Sequence, residues 1–382
     1  MKYQLITIGP LRHEYADGLK TELLSDFREL GLDEKKYFEI LDANQTDQID
    51  WDGTPVMVWF GGSGQEEDED IELLNSFLES SYPIFPVVEN LNHYADNVPP
   101  SLHRINGIEW DKARLAADIL RAFRLSRKQR QVFISYRRAE TRAVAVQLFA
   151  ELSLHGYRAF LDTASVESGV DFQEALWGRM ADVDLLIFLD SPNALTSRWV
   201  YEELARAHDL GLGVLQLVWP DHSRTSGTEL CDFIQLDKSH FVNNLGNSQD
   251  YLTDEFLAEV LIAAERTRIR SLNSRRVRVV SGFIDQAREL DLDIALSPAG
   301  NIEIYRNNQQ IGIVFPVIGL PDASIVQQYE VSMANNPYVE KRIIYDGYGM
   351  ELEYSEHLEW LNNFLSLPTC QLDFVDEWVE KL

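Results

Sequence analysis

The sequence predicts an α/β protein in which two parallel-sheet domains are followed by a smaller α+β domain. First, β-rich apolar runs alternate with segments of helical spacing up to residue 272, the order that βαβ units and parallel sheets produce. Second, the run Leu185–Leu189 is apolar throughout and bounded by acids, as in a strand buried on both faces. Third, the chain from Asn273 onward changes to short strands separated by turn residues.

The first domain is predicted over residues 1–125, as a flavodoxin-like alternation of strands and helices. Its strands are predicted at Tyr3–Ile8, Thr54–Phe60 and Ile84–Val88. Its helices are predicted at Asp17–Leu32, Ile71–Leu78 and Lys112–Phe123. The polar and basic segment at residues 126–130 is interpreted as a linker.

The second domain, predicted over residues 131–272, repeats this order. Its strands are predicted at Val132–Ser135, Tyr157–Leu161, Leu185–Leu189, Val214–Val218 and Phe233–Leu236. Its helices are predicted at Ala143–Leu154, Phe172–Met180, Trp199–Leu210 and Asp254–Arg266, with Ser197 as an N-cap of the third. The endings of the two domains, Gly107–Asp111 and Phe233–Asp237, are alike. This leaves two explanations open: a weak internal duplication, or two unrelated domains that share the same alternation of strands and helices.

The third domain is predicted over residues 273–382 as an α+β module that acts as a sensor or binds a partner. Its helices are predicted at Val277–Leu290, Glu356–Leu365 and Phe374–Leu382. Its strands are predicted at Ile294–Ala295, Asn301–Tyr305 and Gln310–Val317, with a further hairpin of Ile343–Tyr345 and Met350–Tyr354. It carries no motif that points to chemistry.

Composition narrows the classes of function. With 382 residues, 45% of them hydrophobic, the chain is long enough for two or three domains and too apolar for a disordered protein. A net charge of −28 opposes direct binding to nucleic acid, which requires a positive surface. No apolar run approaches the roughly 18 residues of a membrane span, and the N-terminal residues lack the pattern of a signal peptide. Because Cys231 and Cys370 are the only cysteines, we expect no disulfide framework and a cytoplasmic location.

Two segments carry residues suited to nucleotide chemistry. Trp199 stands four residues before Glu203 at the start of a predicted helix. The triplet Tyr136, Arg137 and Arg138 follows the opening strand of the second domain. Ligands of open parallel sheets bind outside the carboxyl ends of the strands, where an arginine pair can make charged contacts to a pyrophosphate. No cluster of His, Cys or Asp has the spacing of metal ligands, so no metal is expected.

The second domain resembles a Toll/interleukin-1 receptor (TIR) domain of the kind that cleaves NAD+. The resemblance covers roughly residues 131–272 and rests on the joint order and spacing of motifs that are each weak alone. These motifs are Val132–Arg138, His155–Asp162, Ser165–Gly169 with Phe172, Leu189–Pro192 and Trp199–Glu203.

The resemblance implies a role for several residues. Glu203 matches the catalytic glutamate. The residues implied in substrate binding are Tyr136, Arg137, Arg138, Glu167, Phe172 and Trp199. This chain departs from the family by one extra residue before Phe172, and by Val200 where plant versions often have Cys. NAD+ is implied as the substrate, with no separate cofactor.

The chemistry itself requires little more than one placed carboxylate. As nicotinamide leaves, positive charge develops on the ribose, and Glu203 can stabilise it. Nicotinamide is already a cationic leaving group, so no general acid is required. Two alternatives stay open: Glu203 is a solvated acid favoured by the helix dipole, or the arginines only pair with acids such as Glu140. The adjacent Glu202 shares the same turn but is expected to point elsewhere.

These observations predict an NAD+ glycohydrolase, with hydrolysis and cyclisation both open. The resemblance implies activation by self-assembly into oligomers or filaments through TIR–TIR contacts, in bacterial antiphage defence, with a protein or small-molecule trigger at residues 273–382. A non-catalytic TIR adaptor, and a TIR enzyme that makes a cyclic ADP-ribose-type signal for a separate effector, are the alternatives. The first domain lacks a Trp-x-x-x-Glu pattern, so it is interpreted as a degenerate TIR-like or related flavodoxin-like domain without NADase chemistry. Its acidic run Glu66–Asp70 is interpreted as a solvated loop.

Overall fold

The computed structural model describes most of the chain and divides it into two compact units. The described residues are 2–29, 32–51, 55–63, 67–80, 82–123, 125, 130–161, 180–194, 198–290, 292–296, 301–332 and 339–381. One unit comprises residues 1–125, 276–347 and 355–382. The other comprises residues 126–275 with the short segment 348–354.

The N-terminal sheet has five parallel strands in the order β2-β1-β3-β4-β5, which is the flavodoxin-like order. The strands are β1 (Tyr3–Ile8), β2 (Phe38–Leu41), β3 (Val56–Phe60), β4 (Ile84–Val88) and β5 (Ile108–Glu109). The helices are α1 (Arg12–Glu29), α2 (Glu34–Tyr37), α3 (Asp68–Ser80), α4 (Tyr94–Asn97) and α5 (Lys112–Ala122). Every residue of β3 is buried, as expected of a central strand covered on both faces.

The second sheet repeats this order. Its strands are β6 (Gln131–Ser135), β7 (Arg158–Leu161), β8 (Leu185–Asp190), β9 (Gly213–Val218) and β10 (Asp232–Gln235). They pair in parallel as β7-β6-β8-β9-β10, which is the same order in chain sequence. The helices are α6 (Arg138–Leu154), α7 (Arg198–Asp209) and α8 (Asp254–Glu289). The predicted helix Phe172–Met180 lies outside the described residues except at Met180.

Successive side chains along a strand point to opposite faces of the sheet, and this determines which helix each side chain of the second sheet packs against. On one face, Ile134 and Ile187 pack in a core with Leu148 of α6 and Val260 of α8. On the other face, the strand residues pack in a core with side chains of α7. Those strand residues are Phe133, Leu186, Phe188 and Val214, and the α7 residues are Leu204 and Ala207, with Leu210 directly after the helix. Helix α7 therefore covers the face on which Ser135 and Asp190, two residues beyond Phe133 and Phe188, also lie.

The C-terminal sheet mixes antiparallel and parallel pairs. Its strands are β11 (Asp293–Leu296), β12 (Ile302–Arg306), β13 (Gln309–Val317), β14 (Glu340–Tyr345) and β15 (Thr369–Gln371). The first three pair antiparallel, and β14 pairs in parallel with both β13 and β15. The helices are α9 (Ala323–Ser332), α10 (Leu352–Asn362) and α11 (Val375–Val379). Two parallel-sheet modules and a mixed α+β module thus confirm the predicted fold class.

Three local predictions are wrong. Helix α8 is continuous over 36 residues, where two helices with a break after Arg266 were expected. The predicted hairpin of Ile343–Tyr345 with Met350–Tyr354 does not form, because β14 takes parallel partners and the second segment leads into α10. The end of the acidic run is not a solvated loop, since Asp68 begins α3 and Asp70 is buried. Within the described part of the chain, no helix is long and apolar enough to cross a membrane.

Buried ion pairs explain why α8 continues through a charged stretch. Arg268 lies fully buried and bonds Asp184 at 3.0 Å and Glu265 at 3.1 Å. Arg130 is equally buried and reaches Glu265 at 2.9 Å. Tyr157 donates its hydroxyl to the same Glu265 carboxylate. Each of these charges is paired and hydrogen-bonded, the condition under which a protein interior tolerates ions.

Candidate functional site

The candidate site is built around the carboxylate of Glu203 on α7. Its side chain is buried, with 2% exposure, at the carboxyl end of the second sheet. The hydroxyl of Ser135, the last residue of β6, donates a hydrogen bond of 2.5 Å to Glu203 Oε2. The helix is held on the sheet by Leu204 and Ala207, which pack in the core beneath it. The local fold therefore directs an acid from α7 onto the end of β6.

The helical register separates Glu203 from its neighbour Glu202. Successive residues of an α-helix are about 100° apart around its axis. Glu203 is buried, whereas Glu202 is only partly buried. The acid that meets the strand end is thus the one that the Trp-x-x-x-Glu spacing favours.

The arginines that follow β6 differ in environment. Arg137 Nη1 donates to the carbonyl oxygen of Asn193 at 2.7 Å and lies 3.6 Å from Glu140 Oε1. Asn193 in turn donates to Glu140 through its backbone N–H at 3.2 Å and its side-chain amide at 2.7 Å. We call Arg137, Glu140 and Asn193 the arginine rim. Arg138 begins α6 and is exposed.

The charge of Glu140 is stabilised by this rim. Burial alone would raise the pKa of its carboxyl group. Hydrogen bonds from Ser191 and Asn193, together with the positive charge of Arg137, outweigh that effect and hold the pKa below its ordinary value. The pairing of Arg137 with Glu140, which the sequence left open as an alternative, is therefore present.

Of the remaining predicted residues, Tyr136 is the one whose side chain belongs to the described structure. Tyr136 is buried in the core on the opposite face of the sheet from Ser135 and Glu203. Trp199 is the second residue of α7, and its side chain lies outside the described part. Glu167 and Phe172 also lie outside the described residues. Their roles stay predictions.

A second buried carboxylate, Asp190 at the end of β8, is surrounded by hydrogen-bond donors. Its Oδ2 accepts from Gln216 Nε2 at 2.6 Å and from the backbone N–H of Thr225 at 3.0 Å. Its Oδ1 accepts from Thr225 Oγ1 at 2.7 Å and from His222 Nε2 at 3.2 Å. Four donors occupy both oxygens, so Asp190 is an anchor for its surroundings in this arrangement.

Comparison with known proteins identifies the module that holds these residues. Residues 132–240 match the family model described as the TIR domain. The chain contains a TIR domain. The matched range runs from β6 past the end of β10, so it includes Ser135, Asp190 and Glu203. The match confirms the resemblance to a TIR domain over residues 132–240, while NAD+ cleavage and a TIR-like origin for residues 1–125 stay predictions.

Other comparisons add no functional information about the TIR domain. No curated protein matches the chain. Among solved structures, a two-component response regulator/GGDEF domain protein shows 11% identity and a TM-score of 0.25, covering 70% of this chain and 99% of its own. The C-terminal domain of glucosamine-fructose-6-phosphate aminotransferase from Francisella tularensis shows 9% identity and a TM-score of 0.22, covering 71% and 85%. TM-scores this low do not indicate a shared fold or a shared function.

Sequence reasoning missed several polar residues of the TIR domain that the fold brings to the sheet edge. Ser135 had a usable signal, since it is the polar residue that ends an otherwise apolar strand. His222 and Thr225 had none, because their common partner Asp190 lies more than thirty positions away in the sequence. Among the described residues, no group of three or more His, Cys, Asp or Glu side chains is placed to hold a metal ion.

Proposed function

We propose that the TIR domain is an NAD+ glycohydrolase that cleaves the nicotinamide–ribose bond. The observation that carries this proposal is the Glu203 carboxylate, buried at the carboxyl edge of a parallel sheet and oriented by the Ser135 hydroxyl. An enzyme of this kind gains rate mainly by placing fixed charge where charge develops in the transition state. A buried carboxylate suits that role because its surroundings screen it less than water does.

The proposed mechanism assigns one task to each part of the site. NAD+ lies across the carboxyl edge with its pyrophosphate toward Arg137 and Arg138. Glu203 faces the ribose and stabilises the positive charge that builds up as the bond to nicotinamide breaks. Ser135 holds Glu203 Oε2 in place, so the carboxylate does not reorganise during the reaction. Water then captures the ribosyl cation, or an adenine nitrogen does so in a cyclase.

The biological setting rests on the TIR family alone. We propose that the enzyme acts in bacterial antiphage defence in the cytoplasm, and that TIR–TIR contacts in an oligomer or filament complete its pocket. Residues 273–382 are proposed as the place where a protein or small molecule triggers assembly. A cyclic ADP-ribose-type product for a separate effector is an alternative outcome of the same site.

A non-catalytic adaptor is the second candidate function. The arginine rim favours it, because Arg137 already bonds to Asn193 and pairs with Glu140. The burial of Glu203 favours it too, since substrate must reach a carboxylate that is 2% exposed. In an adaptor these contacts would only hold the sheet edge together.

A matched pair of variants distinguishes the two functions. The purified protein is incubated at high concentration with NAD+, and nicotinamide and ribosyl products are quantified by chromatography. For Glu203→Gln we expect a loss of nicotinamide release of about 100-fold or more, because the charge that stabilises the ribosyl cation is gone. Glu202→Gln is the control and should retain activity.

Three outcomes would contradict parts of the proposal. If Glu203→Gln keeps full activity, Glu203 has no part in the reaction. If Glu202→Gln alone is inactive, the neighbouring acid is the catalytic one. If the native protein releases no nicotinamide at any concentration that allows assembly, the adaptor is the better description.

A further inference from the structure

The connection between β9 and β10 is hydrogen-bonded to Asp190 at the end of β8. We call residues 219–231 the β9–β10 loop. It leaves β9 at the carboxyl edge of the sheet, and His222 and Thr225 then return to Asp190. These two residues supply three of the four hydrogen bonds that reach this carboxylate.

The interior of the loop is also bonded to the sheet. Arg224 Nε donates to Gln216 Oε1 at 2.8 Å, and Gln216 in turn donates to Asp190. Arg224 Nη2 donates to the carbonyl oxygen of Cys231 at 2.7 Å. Gln216 and Asp190 are both fully buried, so every bond lost here leaves a polar group without its partner in the interior.

This anchor lies on the same face and edge of the sheet as Glu203. Phe188 of β8 pairs with Ser135 on one neighbouring strand and with Gln216 on the other. Asp190 follows Phe188 by two residues and therefore points to the same face. Ser135, Asp190 and Gln216 form a polar row across three strands at the carboxyl ends of β6, β8 and β9, next to the apolar core of this face.

Two structures thus border the end of β8 from opposite sides. On the β6 side, Arg137 and Glu140 of the arginine rim bond to Asn193, which lies three residues after Asp190. The β9–β10 loop reaches Asp190 itself from the β9 side. Glu203 approaches the same row through Ser135.

We propose that His222 and Thr225 are positioning residues for the NAD+ cleavage proposed above. By fastening the β9–β10 loop to Asp190, they hold the wall of the site opposite the arginine rim, and so fix where the dinucleotide lies relative to Glu203. They act through Asp190 and the loop. A loosened wall must be ordered again each time NAD+ binds, which weakens the binding of substrate and transition state equally and therefore raises KM.

The test compares two Thr→Val variants in the full-length protein. Thr225→Val removes the 2.7 Å bond to Asp190. Thr267→Val removes a bond of the same kind, from Thr267 Oγ1 to Asp232 Oδ2 at 2.6 Å, at the start of β10 and hence at the other edge of the sheet. For Thr225→Val we expect kcat/KM for NAD+ to fall on the order of tenfold, mainly through KM. For Thr267→Val we expect less than about a twofold change.

Conservative variants separate positioning from general stability. Thr225→Ser keeps a hydroxyl and should restore KM. His222→Gln keeps an N–H donor and should be less affected than His222→Leu. Hydrogen exchange of the amides at residues 219–231, measured without NAD+, should increase in Thr225→Val and not in Thr267→Val.

The outcomes distinguish this inference from the proposed function on which it rests. Unchanged hydrogen exchange in Thr225→Val would overturn the anchor itself. Equal KM values for the two valine variants, in a protein that cleaves NAD+, would overturn the positioning role and leave the function standing. A native protein that releases no nicotinamide would overturn both, whatever the exchange shows.

Discussion

Two buried acids occupy comparable places in the two parallel-sheet modules, but their partners differ. Glu203 accepts a hydroxyl hydrogen bond from Ser135 at the end of β6. Asp70 accepts the backbone N–H of Gly9 at 2.7 Å, just after β1. Burial raises the pKa of Asp70, the Gly9 hydrogen bond lowers it, and the net direction is upward. Asp70 therefore carries an electrostatic cost to the fold when it ionises.

Replacing Asp70 by Asn tests this cost through its pH dependence. The folded pKa lies above the unfolded one, so the native state binds its proton more tightly and loses stability as pH rises from the unfolded pKa through the folded pKa. Asn keeps an oxygen for Gly9 and does not titrate. The difference in Tm between Asp70→Asn and the native protein should therefore shift in favour of the variant as the pH rises from 3 to 7. Asp68→Asn, exposed on the same helix, is the control, and an equal trend in both variants would contradict the prediction.

At the scale of elements, the sequence predicted the strands that are marked by an apolar run. It missed features that depend on contacts between residues far apart in the chain. The apolar strands β1, β3, β4, β6, β8 and β9 were all predicted close to their observed bounds. Strand β2 was missed because it begins directly after α2, with no turn residue to mark the change from helix to strand. The break predicted after Arg266 reflected the charges that follow, and the acids that neutralise Arg268 include Asp184, 84 positions away. At the site, Trp199 and Glu203 could be placed on one helix, whereas the Asp190 anchor could not be foreseen.

The paired charges within α8 lead to a prediction about its stability. Arg268→Leu leaves Asp184 and Glu265 buried without one of their cations. Breaking a buried pair from one side costs about 3–5 kcal/mol, and we expect that decrease in the free energy of unfolding by urea. Arg266→Leu, exposed two residues earlier on the same helix, should change stability by no more than about 0.5 kcal/mol. Similar losses in both variants would show that the ion pairs do not stabilise α8.

At the scale of the whole molecule, the two parallel-sheet modules share more than the alternation of strands and helices. Both have the strand order 2-1-3-4-5 when numbered from their first strand. In both, a buried acid on the helix after the third strand bonds to the end of the first strand, Asp70 at Gly9 and Glu203 at Ser135. This likeness is compatible with both explanations that the sequence left open, a weak internal duplication and two unrelated domains with the same order of strands and helices.

The chain also returns to the helix that carries the candidate acid. Residues 348–354 belong to the same compact unit as the TIR domain. The Arg206 guanidinium lies 5.3 Å from the centre of the Tyr348 ring. Gly349 has a φ of +80°, and a Cβ added there would lie 2.3 Å from Arg206 Nη2 and 2.9 Å from Leu210 Cδ2. Arg206 lies on α7 and Leu210 directly follows its last residue, so this segment packs on the end of the helix.

Gly349→Ala should therefore disturb α7 itself, and Gly227→Ala separates that effect from backbone strain. Both glycines have positive φ, so alanine costs each on the order of 1–3 kcal/mol of local strain. A Cβ at Gly227 meets no atom within 4 Å, whereas at Gly349 it meets the ends of the Arg206 and Leu210 side chains. We expect faster hydrogen exchange at the amides of residues 198–209 in Gly349→Ala, and native exchange there in Gly227→Ala. Identical exchange in the two variants would mean that the strain stays in the segment and that α7 does not depend on its contact with Gly349.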